Sequence, residues 1–198
     1  MTVRPRLLAF AGSLRKESFN KKLIRVAAAG AREAGADVTL IELNDYPLPV
    51  FDEDCESREG PPESARKLKA LMIQHDGFLL SCPEYNSSIT AALKNAVDWA
   101  SRPAPNEPPL VAFAGKTAAL MAASPGTLGG LRGLVHVRAI LGNIQVLLLP
   151  DQIAVSRAHE AFNPDGSLKD AKQQAAVMNL GRKLADLTAR LQSAEVPR

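Results

Sequence analysis

The sequence has few cysteines and no long hydrophobic run. Cys55 and Cys82 are the only cysteines in 198 residues, and they stand outside any CxxC or Cys/His spacing, so we predict neither a disulfide framework nor a zinc site. The longest apolar run covers residues 118–123, whereas a membrane span needs about 18 apolar residues. The first residues also lack the apolar stretch and cleavage site of a signal peptide. We therefore expect a cytoplasmic protein with no membrane partner.

Aromatic residues are also scarce, at 5% of the chain, and the charges nearly cancel. The chain has 24 lysines and arginines against 21 acidic residues, a formal net charge of +3, with 46% hydrophobic and 23% charged residues. These proportions are typical of a folded globular protein and exclude disordered and collagen-like chains. At about 150 residues per domain, the length predicts a single domain over residues 1–198.

The small net charge conceals two strongly charged segments. Residues 1–32, the basic segment, contain eight cations and one anion, a net charge of +7, whereas residues 42–63, the acidic segment, contain eight anions and one cation, a net charge of −7. A basic segment can attract nucleic acid, a membrane surface or a phosphorylated small molecule. No nucleic-acid-binding motif accompanies it, and most of its cations fall on the polar face of a predicted helix. We therefore expect no nucleic-acid partner.

Apolar runs of strand length alternate with stretches of helical period along the chain, which is typical of parallel βαβ units. The right-handed crossover rule then favours a flavodoxin-like, doubly wound sheet of order 2-1-3-4-5 with helices on both faces, rather than the six-stranded dinucleotide fold. A long loop is predicted over residues 44–62 and a second one over residues 102–109. The five predicted strands cover residues 7–11, 38–43, 78–82, 117–123 and 144–149, and the helices run near residues 23–35, 65–72, 89–100, 131–141 and 177–191.

In such a sheet the ligand lies beyond the carboxyl ends of the strands, so the loop after residue 11 is the first candidate. It reads Gly-Ser-Leu-Arg-Lys-Glu-Ser-Phe-Asn over residues 12–20 and leads into a helix. Hydroxyl and amide groups, the Arg15 guanidinium and a helix N-terminus together predict an anion-binding loop. The alternative is that Ser18 or Asn20 only caps the helix and that Arg15 is a solvated cation. Neither GxGxxG nor GK[ST] occurs in this loop.

The second candidate loop follows the strand that ends at residue 82. Pro83 stiffens its exit, and the backbone N–H groups of residues 84–86 would face the ligand. An exposed Tyr85 could cover one flank of a flat ring, although a surface turn with a half-buried tyrosine is an equal alternative. Ser87 or Ser88 is the predicted N-cap of the next helix.

The third candidate loop covers residues 124–130 and has three glycines in five positions. Such a loop permits close approach of the backbone to a ligand, but glycine-rich turns are common, so its sequence alone indicates little.

Five motifs in this order resemble the NAD(P)H-dependent FMN reductase family, which includes bacterial quinone, azo-dye and chromate reductases. The resemblance covers most of residues 6–150. The motifs are Gly-Ser-Leu-Arg-x-x-Ser-x-Asn at 12–20, Tyr-Pro-Leu-Pro at 46–49, Pro-Glu-Tyr-Asn-x-Ser at 83–88, Leu-Lys-Asn-Ala-Val-Asp-Trp at 93–99, and Ser-Pro-Gly followed by Gly-Gly at 124–130.

The resemblance implies a bound FMN, NADPH or NADH as co-substrate, and a homodimer or homotetramer with the flavin near the subunit interface. The FMN phosphate would bind to Ser13, Arg15, Ser18 and Asn20. The isoalloxazine ring would lie along Pro83, Glu84, Tyr85 and Asn86, and its polar side or the ribityl chain would meet Ser124, Gly126 and Gly129.

Under this interpretation FMN carries the chemistry, so we predict no catalytic side chain and no metal site. Hydride from NAD(P)H would pass through FMN to quinones, azo compounds, free flavin or metal oxyanions such as chromate. Cys82 is interpreted as a small buried residue rather than a redox thiol. The alternative is a flavodoxin-like electron carrier without its own NAD(P)H turnover, although such carriers tend to be acidic and to enclose the ring between aromatic residues.

Overall fold

Five parallel strands form the main sheet of the protein, which a computed structural model describes over residues 4–195. Their order is β2-β1-β3-β6-β7, which is the predicted order 2-1-3-4-5 once the small hairpin β4–β5 is set aside. The strands are β1 (Arg6–Ala11), β2 (Asp37–Leu40), β3 (Gly77–Ser81), β6 (Thr117–Ala123) and β7 (Leu147–Val155); the hairpin is β4 (Glu84–Tyr85) with β5 (Ser88–Ile89).

Helices cover both faces of this sheet, as predicted. Strand β1 shows why: Leu7 and Ala9 enter one hydrophobic core, whereas Leu8 and Phe10 enter the other, because successive strand residues point to opposite faces. Helices α1 and α7 pack over the first face, and α3, α4 and α5 pack over the second. The helices are α1 (Phe19–Glu33), α2 (Glu53–Glu59), α3 (Glu63–Gln74), α4 (Ala91–Ser101), α5 (Leu131–Asn143), α6 (Ala158–Ala161) and α7 (Ala171–Glu195).

The last strand differs most from its prediction. It was expected over residues 144–149, but β7 begins at Leu147 and continues to Val155, past Pro150. The pairing with β6 shifts at this point, since Ala118 lies opposite Leu148 and Leu120 lies opposite Gln152. A proline is tolerated in an edge strand at such an irregularity, which is why Pro150 does not end the strand.

The acidic segment is also more ordered than predicted. The strand expected over residues 38–43 ends at Leu40, and a 3₁₀ turn follows at Leu43–Asp45. The loop expected over residues 44–62 contains α2, whose N-cap Asp52 accepts hydrogen bonds from the Asp54 and Cys55 N–H groups. Carboxylates are favourable in the first turn of a helix, so the acidic cluster that suggested a loop starts a helix instead.

Helix α7 packs against α1 at a crossing that leaves no space for side chains. A Cβ atom added at Gly30 would lie 2.0 Å from the Met178 carbonyl oxygen, and one at Gly181 would lie 2.0 Å from the Ala27 carbonyl oxygen. The two backbones therefore touch only because both positions are glycine.

Within residues 4–195, no helix combines the length and the apolar character needed to cross a membrane.

Candidate active site

The three candidate loops leave the sheet at one edge. The Gly12 N–H donates to the Ser81 carbonyl oxygen at 2.9 Å, the Cys82 N–H donates to the Met121 carbonyl oxygen at 2.7 Å, and the Ser124 N–H donates to Val155 at 3.1 Å. These bonds continue the parallel ladder by one residue beyond each strand. The loops therefore start side by side at the carboxyl edge, as the strand order requires.

The first loop presents hydrogen-bond donors and positive charge around the start of α1. The Ser13 hydroxyl oxygen accepts a hydrogen bond from the Arg15 N–H at 3.3 Å. Ser18 is the N-cap residue of α1, but its side chain makes no cap hydrogen bond, and the first helical turn contains no acidic residue. The Lys21 N–H donates to the Ser18 carbonyl oxygen at 3.1 Å, so the Phe19 and Asn20 N–H groups and the positive end of the helix remain available to an anion.

Arg15 stands exposed in this loop, with its guanidinium 5.9 Å from the centre of the Phe19 ring. Among residues 4–195, no carboxylate lies within salt-bridge distance of it. Arg15, the Ser13 hydroxyl and the uncapped helix start form a donor set suited to a phosphate group. The first loop thus fits the phosphate of FMN.

Asn20 differs from the other three residues because its side-chain amide is already hydrogen-bonded inside the protein, to Ser81 and to the backbone of Ala123. Ser13 and Ser18 are also buried, at 4% and 5% exposed, so Arg15 is the exposed side chain of the four.

The second loop is a tight β-hairpin. Glu84 pairs with Ile89 and Tyr85 pairs with Ser88, and the two turn residues, Asn86 and Ser87, have φ values of +50° and +68°. Positive φ at both central positions is typical of a type I′ turn. Tyr85 is 59% exposed beside this turn.

The predicted N-cap of α4 was wrong. Ser87 and Ser88 belong to the hairpin, and the helix is capped by Thr90, whose hydroxyl oxygen accepts from the Leu93 N–H at 3.1 Å. The same hydroxyl donates to the Gly12 carbonyl oxygen at 2.6 Å. Thr90 therefore connects α4 to the start of the first loop.

Glu84 contributes a buried carboxylate that was not anticipated. It accepts from Arg132 Nε at 2.8 Å and from the Gly133 N–H at 3.1 Å. Burial of the carboxylate raises its pKa, but the hydrogen bonds from Arg132 and Gly133 outweigh this effect, so the pKa of Glu84 lies below its usual value. The ion pair fastens the hairpin to the start of α5. Nothing in the sequence marks Arg132 as the partner of a residue 48 positions earlier.

The third loop has one exposed glycine, Gly126, and two buried glycines, Gly129 and Gly130. Gly126 is exposed and its N–H donates to the Ser124 hydroxyl oxygen at 3.2 Å. Gly129 is buried with φ +63°, and a Cβ there would lie 2.8 Å from the Ser156 nitrogen. Ser124 and Gly126 thus face the open side of the loop, whereas Gly129 allows the chain to pass against the end of β7.

Several other candidate groups lie outside this cluster. Cys82 is buried, and the loss of solvent raises the pKa of its thiol to about 12, so it remains a neutral thiol near pH 7. His75 is buried and hydrogen-bonds to Leu71 and Thr39. Over residues 4–195 no group of three or more His, Cys, Asp or Glu side chains could hold a metal ion.

The basic and acidic segments pair with each other in part. Lys21 forms a salt bridge with Glu42, and Arg25 approaches the same carboxylate at 3.8 Å. Arg102 holds Glu56 of α2 at 2.8 Å. Part of the +7 charge is thus neutralised within the molecule, and Arg15 belongs to the part that is not.

The sheet order and the helices on both faces define a flavodoxin-like α/β protein. A family model described as NADPH-dependent FMN reductase matches residues 5–160. The chain belongs to this family, and it is therefore an NAD(P)H-dependent oxidoreductase that uses FMN, rather than an electron carrier.

Individual relatives agree with this assignment. The NAD(P)H-dependent FMN reductase of Pseudomonas aeruginosa is 34% identical over 173 residues, which cover 87% of this chain and 89% of that protein. The NADPH:quinone oxidoreductase of Arabidopsis thaliana is 32% identical over 190 residues, 94% of this chain and 93% of the relative. The solved structure of FerB, a flavoenzyme NAD(P)H:(acceptor) oxidoreductase from Paracoccus denitrificans, has a TM-score of 0.79 at 28% identity and covers 94% of this chain and 98% of that one.

Proposed function

We propose that this reductase passes electrons from NAD(P)H through FMN to small-molecule oxidants, with quinones as the leading acceptor class. The observation that carries the site assignment is the uncapped start of α1 beside Arg15, at the edge where the other two loops also emerge. Quinones come first because relatives over most of the chain are named quinone oxidoreductases. Azo compounds, free flavin and oxyanions such as chromate are further candidates.

In this proposal the first loop holds the phosphate of FMN. Ser13, Arg15 and the N–H groups after Ser18 would donate hydrogen bonds to the phosphate oxygens. The hairpin at Pro83–Asn86 would lie along the isoalloxazine, with Tyr85 at one flank, and Ser124 and Gly126 would meet its polar side or the ribityl chain. Gly129 would act through the shape of the third loop, since it is buried.

FMN, when bound, supplies the redox chemistry by taking up hydride from NAD(P)H and releasing electrons to the acceptor. The residues of the chain bind and orient the cofactor. Arg132, whose side chain is exposed, pairs with the buried carboxylate of Glu84 and so keeps the hairpin in one position. A fixed second loop would keep the ring at a constant place. No side chain needs to act as a general base in this proposal, and burial keeps the thiol of Cys82 neutral by raising its pKa.

Stopped-flow oxidation of the reduced holoenzyme tests the acceptor class. The NAD(P)H-reduced protein is mixed anaerobically with benzoquinones, an azo dye, free FMN and chromate, and reoxidation of bound FMN is followed by its absorbance. We expect the quinones to react fastest. Faster reoxidation by chromate or by the azo dye at equal concentration would overturn the order, and a protein that binds no FMN would overturn the site.

We also propose that the protein is a homodimer or homotetramer. Leu128, Leu131 and Val135 are large apolar side chains exposed on or just before α5, and Tyr85 is exposed on the hairpin that packs against α5. Exposed apolar residues grouped in this way are typical of an interface.

Because NAD(P)H is an intracellular coenzyme, a cytoplasmic location stays our prediction.

A further inference from the structure

Asn20 is a buried polar side chain that joins the ends of two strands. It is the second residue of α1 and only 3% exposed. Its Nδ2 donates to the Ala123 carbonyl oxygen at 2.8 Å, and its Oδ1 accepts from the Ala123 N–H at 3.0 Å. A single amide thus pairs with both backbone groups of the last residue of β6.

The same side chain closes the first loop onto β3. The Ser81 hydroxyl donates to Asn20 Oδ1 at 2.9 Å, while the Ser81 carbonyl oxygen accepts from the Gly12 N–H at 2.9 Å. The loop over residues 12–20 therefore begins and ends on one residue, the last of β3. Ser81 is fully buried, so it acts on the loop only through these two hydrogen bonds.

Ser81 and Ala123 also stand at the bases of the second and third loops. Asn20 consequently ties the start of α1 to both neighbouring loops at the point where each leaves the sheet. A buried amide that loses a partner leaves the remaining donors and acceptors unsatisfied, which is unfavourable because water cannot replace the lost hydrogen bond. This arrangement therefore resists any change in the separation of the three loops.

We propose that Asn20, through Ser81 and Ala123, is a positioning residue that sets the spacing of the three cofactor loops, and that its side chain does not contact the FMN phosphate. The proposal rests on the proposed function, in which these loops bind FMN. It assigns Asn20 a different role from the phosphate contact that the family resemblance implies.

Two variants test this role through the affinity of the apoprotein for FMN, measured by quenching of flavin fluorescence. Ser81→Ala removes a hydroxyl that no ligand can reach. Asn20→Asp keeps the size of the side chain but places an oxygen against the Ala123 carbonyl oxygen. We expect each variant to bind FMN about tenfold more weakly or worse, since one lost buried hydrogen bond corresponds to roughly that factor.

Riboflavin, which lacks the phosphate, separates positioning from direct contact. A residue that touches the phosphate affects FMN and leaves riboflavin unchanged, so Arg15→Ala serves as the reference for direct contact. Ser81→Ala and Asn20→Asp are expected to weaken both ligands by similar factors, because all three loops move.

Thr117→Val is the matched control for general loss of stability. Thr117 is the first residue of β6, and its buried hydroxyl shares a 2.6 Å hydrogen bond with Thr188 at the opposite end of the sheet. This variant is expected to lower the melting temperature while FMN affinity stays within about twofold of wild type. Wild-type FMN affinity in Ser81→Ala would overturn the proposal, as would loss of FMN but not riboflavin binding in Asn20→Asp. Absence of FMN binding by the wild-type protein would instead refute the proposed function itself.

Discussion

Among single residues, Arg15 is the cation best placed to meet an anionic cofactor. It lies in the first loop beside the uncapped start of α1, and within residues 4–195 it has no carboxylate partner. Arg15→Ala should weaken FMN binding by about 1.5–3 kcal/mol, the value of a hydrogen bond to a charged group. Fluorescence titration of the apoprotein measures this change. Arg190→Ala, which removes an exposed arginine of α7, is the control, and equal affinities for the two variants would remove Arg15 from the site.

Asp76 and Glu84 predict how stability depends on pH. Burial raises the pKa of Asp76, but the hydrogen bonds and charge of Arg6 outweigh this and lower it below 3.8. The pKa of Glu84 is likewise lowered below 4.5 in the folded state. A carboxyl group whose pKa is lower in the folded chain contributes stability above its unfolded pKa, and that contribution is lost as pH falls through the folded pKa. The free energy of unfolding should therefore decrease as the pH falls below about 4.5.

Urea denaturation of wild type and Arg6→Met at several pH values between 3 and 7 tests this dependence. Arg6→Met should lower the stability at pH 7 and flatten its decline in acid, because Asp76 then titrates nearer its unfolded pKa. Arg182→Met, which removes an exposed ion pair with Glu33, should leave the slope unchanged. If the free energy of unfolding falls equally with pH in Arg6→Met and in wild type, the pH dependence does not come from the pairing of Asp76 with Arg6.

The residues of the site show what a linear sequence can and cannot reveal. A short loop before an amphipathic helix keeps Ser13, Arg15 and Ser18 close along the chain, so the sequence alone could group them as phosphate-binding candidates, and that role stays a prediction. The roles of Asn20 and Arg132 depend on contacts with residues 103 and 48 positions away in the chain. Such contacts follow from the packing of α1 and α5 on the sheet, which residue types alone do not specify.

At the level of elements, the crossing of α1 and α7 depends on two glycines. Gly30→Ala or Gly181→Ala would place a Cβ atom 2.0 Å from a backbone oxygen of the other helix, so the helices would have to separate. We expect either variant to lose about 1–3 kcal/mol of stability or more. Gly142→Ala in α5 is the control, since its Cβ would meet nothing within 4 Å. This control should gain about 0.5–1 kcal/mol from the better helix propensity of alanine. Calorimetry of the three variants measures their stability against unfolding relative to wild type. A Gly181→Ala protein as stable as wild type would contradict the close contact between α1 and α7.

The predicted elements were correct where periodicity and caps agreed. The strand expected at residues 117–123 coincides with β6, because a purely apolar run between two loops has one interpretation in a parallel sheet. The largest errors fell at α2 and β7, where acidic residues and Pro150 resembled loop signals. In both places the deciding factor was local context: the Asp52 cap in one case, and an edge strand with a bulge in the other.

For the whole molecule, α5 is the surface that we expect to join the subunits of the proposed oligomer. Val135 is 58% exposed on α5, and Leu131 precedes it by one helical turn, so both project from one face of the helix. The hairpin that carries the exposed Tyr85 packs against the same helix through the bond between Glu84 and Arg132. An assembly through α5 would therefore bring a second subunit next to the second loop of the site.

Replacement of Val135 by Glu tests this assembly. A symmetric interface would bury two such charges without partners, at a cost of several kcal/mol. Val135→Glu should therefore lower the mass of the particle, as measured by light scattering after gel filtration. FMN affinity should fall with it if the partner completes the ring site. Val50→Glu is the control, since Val50 is 86% exposed in the segment before α2, away from α5, and it should keep both the mass and the affinity of wild type. A wild-type monomer, or an unchanged mass for Val135→Glu, would mean that α5 does not form the interface.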